Sequence, residues 1–187
     1  MHTNLVSFKK TSMKYLDISL NLEINQNDFI LFVGKNGCGK STFIKLILGF
    51  MKPDEGTVTT SVDSISYLPE VVHLPETIKV AEYIELIEKI KKVSTNEKWL
   101  FKLGLPLFKK IQHLSKGNRQ KLGVYSSLIG NERLVVLDEP LSGLDKATKK
   151  VVSEMIKEKS ITSCVIVSTH EKKLFDKFKT KEVALSD

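Results

Sequence analysis

Arginine is nearly missing from this chain: only Arg119 and Arg133 stand among its 29 basic residues, and the rest are lysines. The lysines fall in scattered pairs, among them Lys9-Lys10, Lys91-Lys92, Lys109-Lys110, Lys149-Lys150 and Lys172-Lys173. Surfaces that read nucleic acid concentrate their charge and lean on arginine, so no nucleic-acid partner is expected. A net charge of +7 spread this way reads as a solvated surface, one that suits work beside an anionic membrane. A small-molecule kinase that clamps a second phosphorylated substrate with several arginines is disfavoured on the same ground.

Cysteine is scarce too. Cys38 and Cys164 cannot build a disulfide framework or a metal site by themselves. Cys164, in an apolar run ending at Val167, reads as a small core residue. Long hydrophobic runs are absent, and stretches such as Phe29–Val33 are far too short to cross a bilayer. The opening Met1-His-Thr-Asn lacks the basic start and apolar block of a signal peptide, so an intracellular location is expected. What is present is an ordinary folded composition, 187 residues with 41% hydrophobic and 27% charged, enough for a single domain with its own core.

The stretch from Phe29 to Gly49 organises the chain. An apolar run suited to a strand buried on both faces breaks into Gly34, Gly37 and Gly39, then resumes with Phe43, Leu46 and Ile47 at helical spacing. Gly34-x-x-x-x-Gly39-Lys40-Ser41 matches the phosphate-binding loop in full. Its glycines let successive backbone N–H groups curl around an anion, and the helix that follows aims its positive end at the same place. Lys40 is expected to reach the β- and γ-phosphates and Ser41 to offer its hydroxyl to Mg²⁺. The rest of the loop, Lys35, Asn36, Cys38 and Thr42, is expected to line the nucleotide. Cys38 reads chiefly as a small filler there, and its alkylation is expected to inactivate the protein unless nucleotide is bound.

Upstream, Leu5–Phe8 and Ile18–Ile24 alternate as antiparallel strands do. Downstream, a threonine- and serine-rich strand region ends at Tyr67-Leu-Pro-Glu70. Apolar residues from Ile78 to Val93 then recur at three- and four-residue steps, an amphipathic helix over 77–93. Ser94-Thr-Asn-Glu97 has capping-box spacing, and Gly104 supplies a stop. A helix is expected from Leu114 to Ile129, a buried strand at Leu134–Leu137, a helix over 146–159, and strands at Val165–Val167 and Lys181–Leu185. The reading is an α/β fold: a P-loop NTPase core on a mainly parallel sheet, with an N-terminal antiparallel β region and a helical insertion. Residues 1–70 and 116–187 form the core of one domain, and 71–115 a helical subdomain that runs into the next helix.

Leu134–Glu139 delivers two carboxylates to a strand's C-terminal edge, where open parallel sheets place their ligands. Asp138 fits an aspartate that holds Mg²⁺, and Glu139 is suited to accept a proton from an attacking water. His170, at another strand end, is placed to contact the γ-phosphate, whereas His2, His73 and His113 read as surface residues.

In their order, these residues resemble an ATP-binding cassette ATPase, the nucleotide-binding subunit of an ABC transporter. Gly34–Ser41 is similar to the Walker A motif, Leu114-Ser-Lys-Gly-Asn118 to the signature and Leu134–Asp138 to Walker B. Glu139 matches the catalytic glutamate, Ser142-Gly-Leu-Asp145 the D-loop and His170 the switch histidine. The resemblance implies that two cassettes, identical or not, pair head to tail around ATP. Ser115, Lys116 and Gly117 of one would then face nucleotide held by the other. It also implies a cytoplasmic subunit, peripheral on the inner face of the membrane, working with a separate transmembrane permease. The short chain and the form of its motifs resemble cassettes serving exporters. A soluble cassette acting on ribosomes or DNA is the alternative.

Three departures stand out. The signature carries Lys116 and Asn118 where glycine and glutamine are usual in the family. Glu70 stands at the Q-loop glutamine's position and is expected to ligate Mg²⁺. The aromatic that stacks on adenine is best matched by Phe8, with Tyr15 as fallback and a core role for Phe8 equally open.

Overall fold

A computed structural model describes residues 4–14, 18–176, 178 and 181–185. Two sheets share the chain. β1 (Asn4–Met13) pairs antiparallel with β2 (Ile18–Asn25) on one side and with β4 (Glu55–Thr60) on the other. The second sheet is parallel, in the order β5 (Ile65–Leu68), β6 (Leu134–Asp138), β7 (Cys164–Thr169), β3 (Phe29–Val33), β8 (Lys181–Ala184). The threonine- and serine-rich stretch therefore divides: β4 joins the antiparallel sheet, and β5 becomes an edge of the parallel one.

Strand alternation splits the core in two. Phe29, Leu31, Val135, Leu137, Val165 and Val167 face α4 (Lys116–Leu128) and α5 (Lys146–Lys159), packing with Leu122, Tyr125, Val152 and Ile156. Ile30, Phe32, Val136 and Ile166 face the other way, onto α1 (Lys40–Ile47) and the antiparallel sheet. With both faces covered, the central strands are apolar throughout, and each fully buried large side chain contributes about 1.5–3 kcal/mol.

Between β5 and α4 lie α2 (Val80–Lys91), α3 (Glu97–Leu103) and a 3₁₀ turn at Ile111–His113. Their Val80, Ile84, Trp99, Leu103 and Ile111 complete the first half of the core. α2 starts later than the periodicity suggests. The amides of Val80 and Ala81 donate to the carbonyls of Lys109 and Leu107, and Ile111 donates to Ile78, which draws 78–79 into extended pairing. The capping expectation shifts as well: Asn96, not Ser94, caps α3, its side chain accepting from the Trp99 amide at 3.3 Å. Among the described residues, no helix is long and apolar enough to cross a membrane.

Candidate active site

β7 lies between β6 and β3, and the register sets Asp138 beside Ser168 and Val33 beside Thr169. Three strand ends, followed by Gly34, Glu139 and His170, thus open onto one side of the sheet. The loop after β3 curls as its glycines allow. Gly37 and Gly39 take φ of 90° and 99°, in the left-handed region, and Gly39 is the N-cap of α1. Gly34 is required for a different reason: a Cβ there would lie 2.3 Å from Cys38 Sγ and 2.6 Å from the Leu185 carbonyl oxygen. The Cys38 thiol is buried in that contact, which supports the filler reading.

Lys40 is buried over the loop, its Nζ donating to the carbonyls of Gly34 at 2.8 Å and Lys35 at 2.9 Å. The same amine lies 3.6 Å from Glu139 Oε1, which has no hydrogen-bond partner. Glu139 Oε2 lies 3.0 Å from His170 Nδ1. Asn36, Gly37, Gly39, Lys40, Ser41, Thr42, Glu70 and Glu139 line one cleft of about 250 Å³. Asp138 sits beneath it, 3% exposed, one carboxylate oxygen accepting from the Ser168 hydroxyl. Burial, reinforced by the charges of Asp138 and Glu70, pushes the nearby Tyr67 phenol up.

The donor set fits magnesium held jointly with a triphosphate. Among the described residues no group of three or more His, Cys, Asp or Glu is placed to hold a metal. Mg²⁺ needs no such cage, since it typically takes one or two carboxylates, retains waters and completes its shell with substrate phosphates. Ser41, Asp138 and Glu70 supply that many groups around the Lys40 cleft.

The signature residues stand apart from this cleft. Ser115 caps α4 by accepting from the Asn118 amide at 3.2 Å, and both Ser115 and Lys116 are exposed. Lys116 lines a second cleft with Glu70, Arg119, Gln120 and Ser142. A Cβ on Gly117 would come within 3.4 Å of the Gly143 carbonyl, so the signature backs directly onto the D-loop. Within the D-loop, Asp145 caps α5, accepting from the Thr148 amide at 2.9 Å and hydroxyl at 2.8 Å. These bonds hold its carboxyl below the usual range.

One expected contact is corrected. Phe8 is 2% exposed, its ring centroid 6.0 Å from that of Phe43, and it is absent from the cleft's lining. The register of β1 turns it inward between the two sheets, leaving no face for adenine. Tyr15 lies outside the described residues. Two buried residues escaped the sequence reading, Ser168 and Gln120, which hydrogen-bond around Glu139. Their only signal was polarity, a hydroxyl ending an apolar strand and an amide among the residues that α4 buries.

A family profile described as ABC transporter matches residues 18–142, well over half of the chain. The chain belongs to the ABC transporter family, as an ATPase cassette. The zinc import ATP-binding protein ZnuC of Psychrobacter cryohalolentis is 33% identical over 161 residues, covering 82% of this cassette and 66% of that protein. The spermidine/putrescine import ATP-binding protein PotA of Clostridium acetobutylicum is 30% identical over 183 residues, covering 87% and 52%. The cassette thus spans between about half and two thirds of the length of these curated relatives. Among solved structures, an ABC transporter ATP-binding protein from Pyrococcus furiosus has a TM-score of 0.79 and 26% identity, with 96% of each chain covered. Neither named relative is an exporter, so the exporter expectation finds no support. Chain length and motif form carry no chemistry that distinguishes one direction from the other.

Proposed function

We propose that this cassette binds ATP with magnesium in the Lys40 cleft, closes on a second cassette around it, and drives a membrane partner through the cycle of closure and hydrolysis. The observation that carries this reading is the meeting of Lys40, Glu139 and His170 beside Ser41. A phosphate-binding amine and a buried carboxylate share one cleft, 3.6 Å apart, and an imidazole reaches the same carboxylate at 3.0 Å.

In this mechanism the loop amides and Lys40 hold the phosphates, with Lys40 exchanging the Gly34 and Lys35 carbonyls for phosphate oxygens. Glu139 accepts a proton from the attacking water, and His170 orients Glu139 through Nδ1. Magnesium, held by Ser41, Asp138 and Glu70, would supply charge neutralisation at the phosphates. The exposed helix start at Ser115, with Lys116 and Gly117, is the surface for the second cassette's nucleotide, whether that cassette is an identical chain or a sibling. In this reading the helical unit of residues 71–115 meets a transmembrane permease, and the cassette works at the cytoplasmic face of a membrane. The named import relatives make import the direction to test first.

ATP hydrolysis by the purified chain, with and without magnesium, tests the chemistry. Co-purification with a polytopic membrane protein, rather than with ribosomes or DNA, tests the partner. Absence of magnesium-dependent turnover in the wild-type chain, alone or with its co-purified partner, refutes the proposal.

A further inference from the structure

Four non-glycine residues take positive φ among the described residues. Lys10, Asn27 and Lys92 are exposed, and only Glu139, with φ of 47°, is buried. A left-handed backbone is unfavourable for any residue with a Cβ, and it persists only where the surroundings over-determine it. Pro140 follows, and a residue before proline is otherwise drawn to extended conformations. Left to itself, Glu139 would relax and swing its carboxylate away from Lys40 and His170.

The surroundings grip this residue from both sides. On its N-terminal side, the Glu139 amide donates to the Ser168 hydroxyl at 3.1 Å, with the Ser168 carbonyl at 3.2 Å. The same hydroxyl donates to the Asp138 carboxylate. On its C-terminal side, Gln120 Nε2 donates to the carbonyls of Glu139 and Pro140, each at 3.3 Å. Ser168 is wholly buried and Gln120 is 6% exposed, so water does not substitute readily for either.

We propose that Ser168 and Gln120 are positioning residues for Glu139, clamping the peptide groups on its two sides so that its backbone stays left-handed and its carboxylate stays aimed into the cleft. The proposal rests on Glu139 acting as the proton acceptor. Gln120 sits in α4, the helix capped by Ser115, so a shift of the signature helix reaches Glu139 through a direct hydrogen bond.

The test uses Ser168→Ala, Ser168→Thr and Gln120→Met in the full chain. Ser168→Ala, which removes an acceptor, and Gln120→Met, which removes a donor, should each lower kcat roughly 10- to 100-fold. KM for ATP should stay within about twofold, because a group acting only on the chemical step leaves ground-state binding alone. Ser168→Thr, which keeps the hydroxyl, should recover most of the rate. Without nucleotide, the Glu139 amide should exchange its hydrogen about tenfold faster in Ser168→Ala, as it loses one of its two buried acceptors and keeps only the Ser168 carbonyl. Turnover unchanged in both variants, or a loss that added magnesium restores, overturns the proposal, the latter by placing Ser168's effect on Asp138. A wild-type chain without ATP turnover would refute the underlying reading instead. Amide exchange then decides the clamp alone, and a rate unchanged from wild type overturns it.

Discussion

Lys40, at the start of α1, and Glu139, just past the end of β6, meet across the cleft, Nζ 3.6 Å from Oε1, with their side chains 6% and 9% exposed. A buried carboxylate this close to a lone amine depends on it, since losing one partner of a buried pair leaves the other charge uncompensated. The amine's bonds to the Gly34 and Lys35 carbonyls hold it over the loop that is to receive phosphate.

Lys40→Met should therefore weaken ATP binding by at least about tenfold, the loss expected when a charged donor to phosphate is removed. Isothermal titration with ATP and magnesium measures it. Wild-type affinity in this variant would contradict the role given to the amine.

Glu139→Gln keeps the shape of the side chain and removes its basicity. Turnover should fall about 100-fold or more, within the range for loss of a general base. ATP binding should persist, so a cassette pair should accumulate with ATP in size-exclusion chromatography. Turnover near wild type would remove Glu139 from the mechanism.

Glu70 lines both clefts from an exposed position, so its carboxylate is not needed to build either wall. Glu70→Gln should retain ATP binding while raising the magnesium concentration needed for half-maximal turnover, because an amide is a weaker ligand for a hard cation than a carboxylate. An unaltered magnesium requirement would show that Glu70 does not touch the ion.

Gly34→Ala should abolish nucleotide binding by displacing the loop, and the double variant with Cys38→Ala should not recover it. Removing the sulfur relieves the 2.3 Å contact, yet the Leu185 carbonyl at 2.6 Å remains. Restored ATP affinity in the double variant would identify the thiol as the sole obstacle.

Asp145→Ala removes the cap of α5. The folded Asp145 carboxyl titrates below its ordinary value because Thr148 donates to its charged form. Its contribution is therefore complete above the unfolded-state pKa and is lost as pH falls through the lower folded value. Thermal unfolding should show the variant melting below wild type at neutral pH, with the gap closing in strong acid. A gap that stays constant down to that pH would assign the effect to packing.

Much of the site was legible because its signals are local. The glycines of 34–39, Lys40 and Ser41 are adjacent in sequence, and the left-handed turns at Gly37 and Gly39 are conformations only glycine takes without strain. Leu134–Asp138 announced itself as a strand buried on both faces by its unbroken apolar run. Phe8 was not legible. Its strand alternates as half-buried strands do, but the pattern does not say whether the apolar face meets a ligand or a second sheet. The cap of α3 was misread by two residues because Ser94, Thr95 and Asn96 are all competent caps, and only the Trp99 amide chooses among them.

Sequence alone determined the phosphate-binding loop pattern and most of the strand and helix segments, since glycine geometry, apolar periodicity and charge act over a few neighbouring residues. Tertiary structure alone decided that β7 runs between β6 and β3, and with it that Ser168 lies under Asp138 and His170 beside Glu139. The physical reason is that strand order is fixed by hydrogen-bond register and core packing between segments far apart in the chain. No short window carries that information, and the left-handed Glu139 exists only because those distant partners hold it.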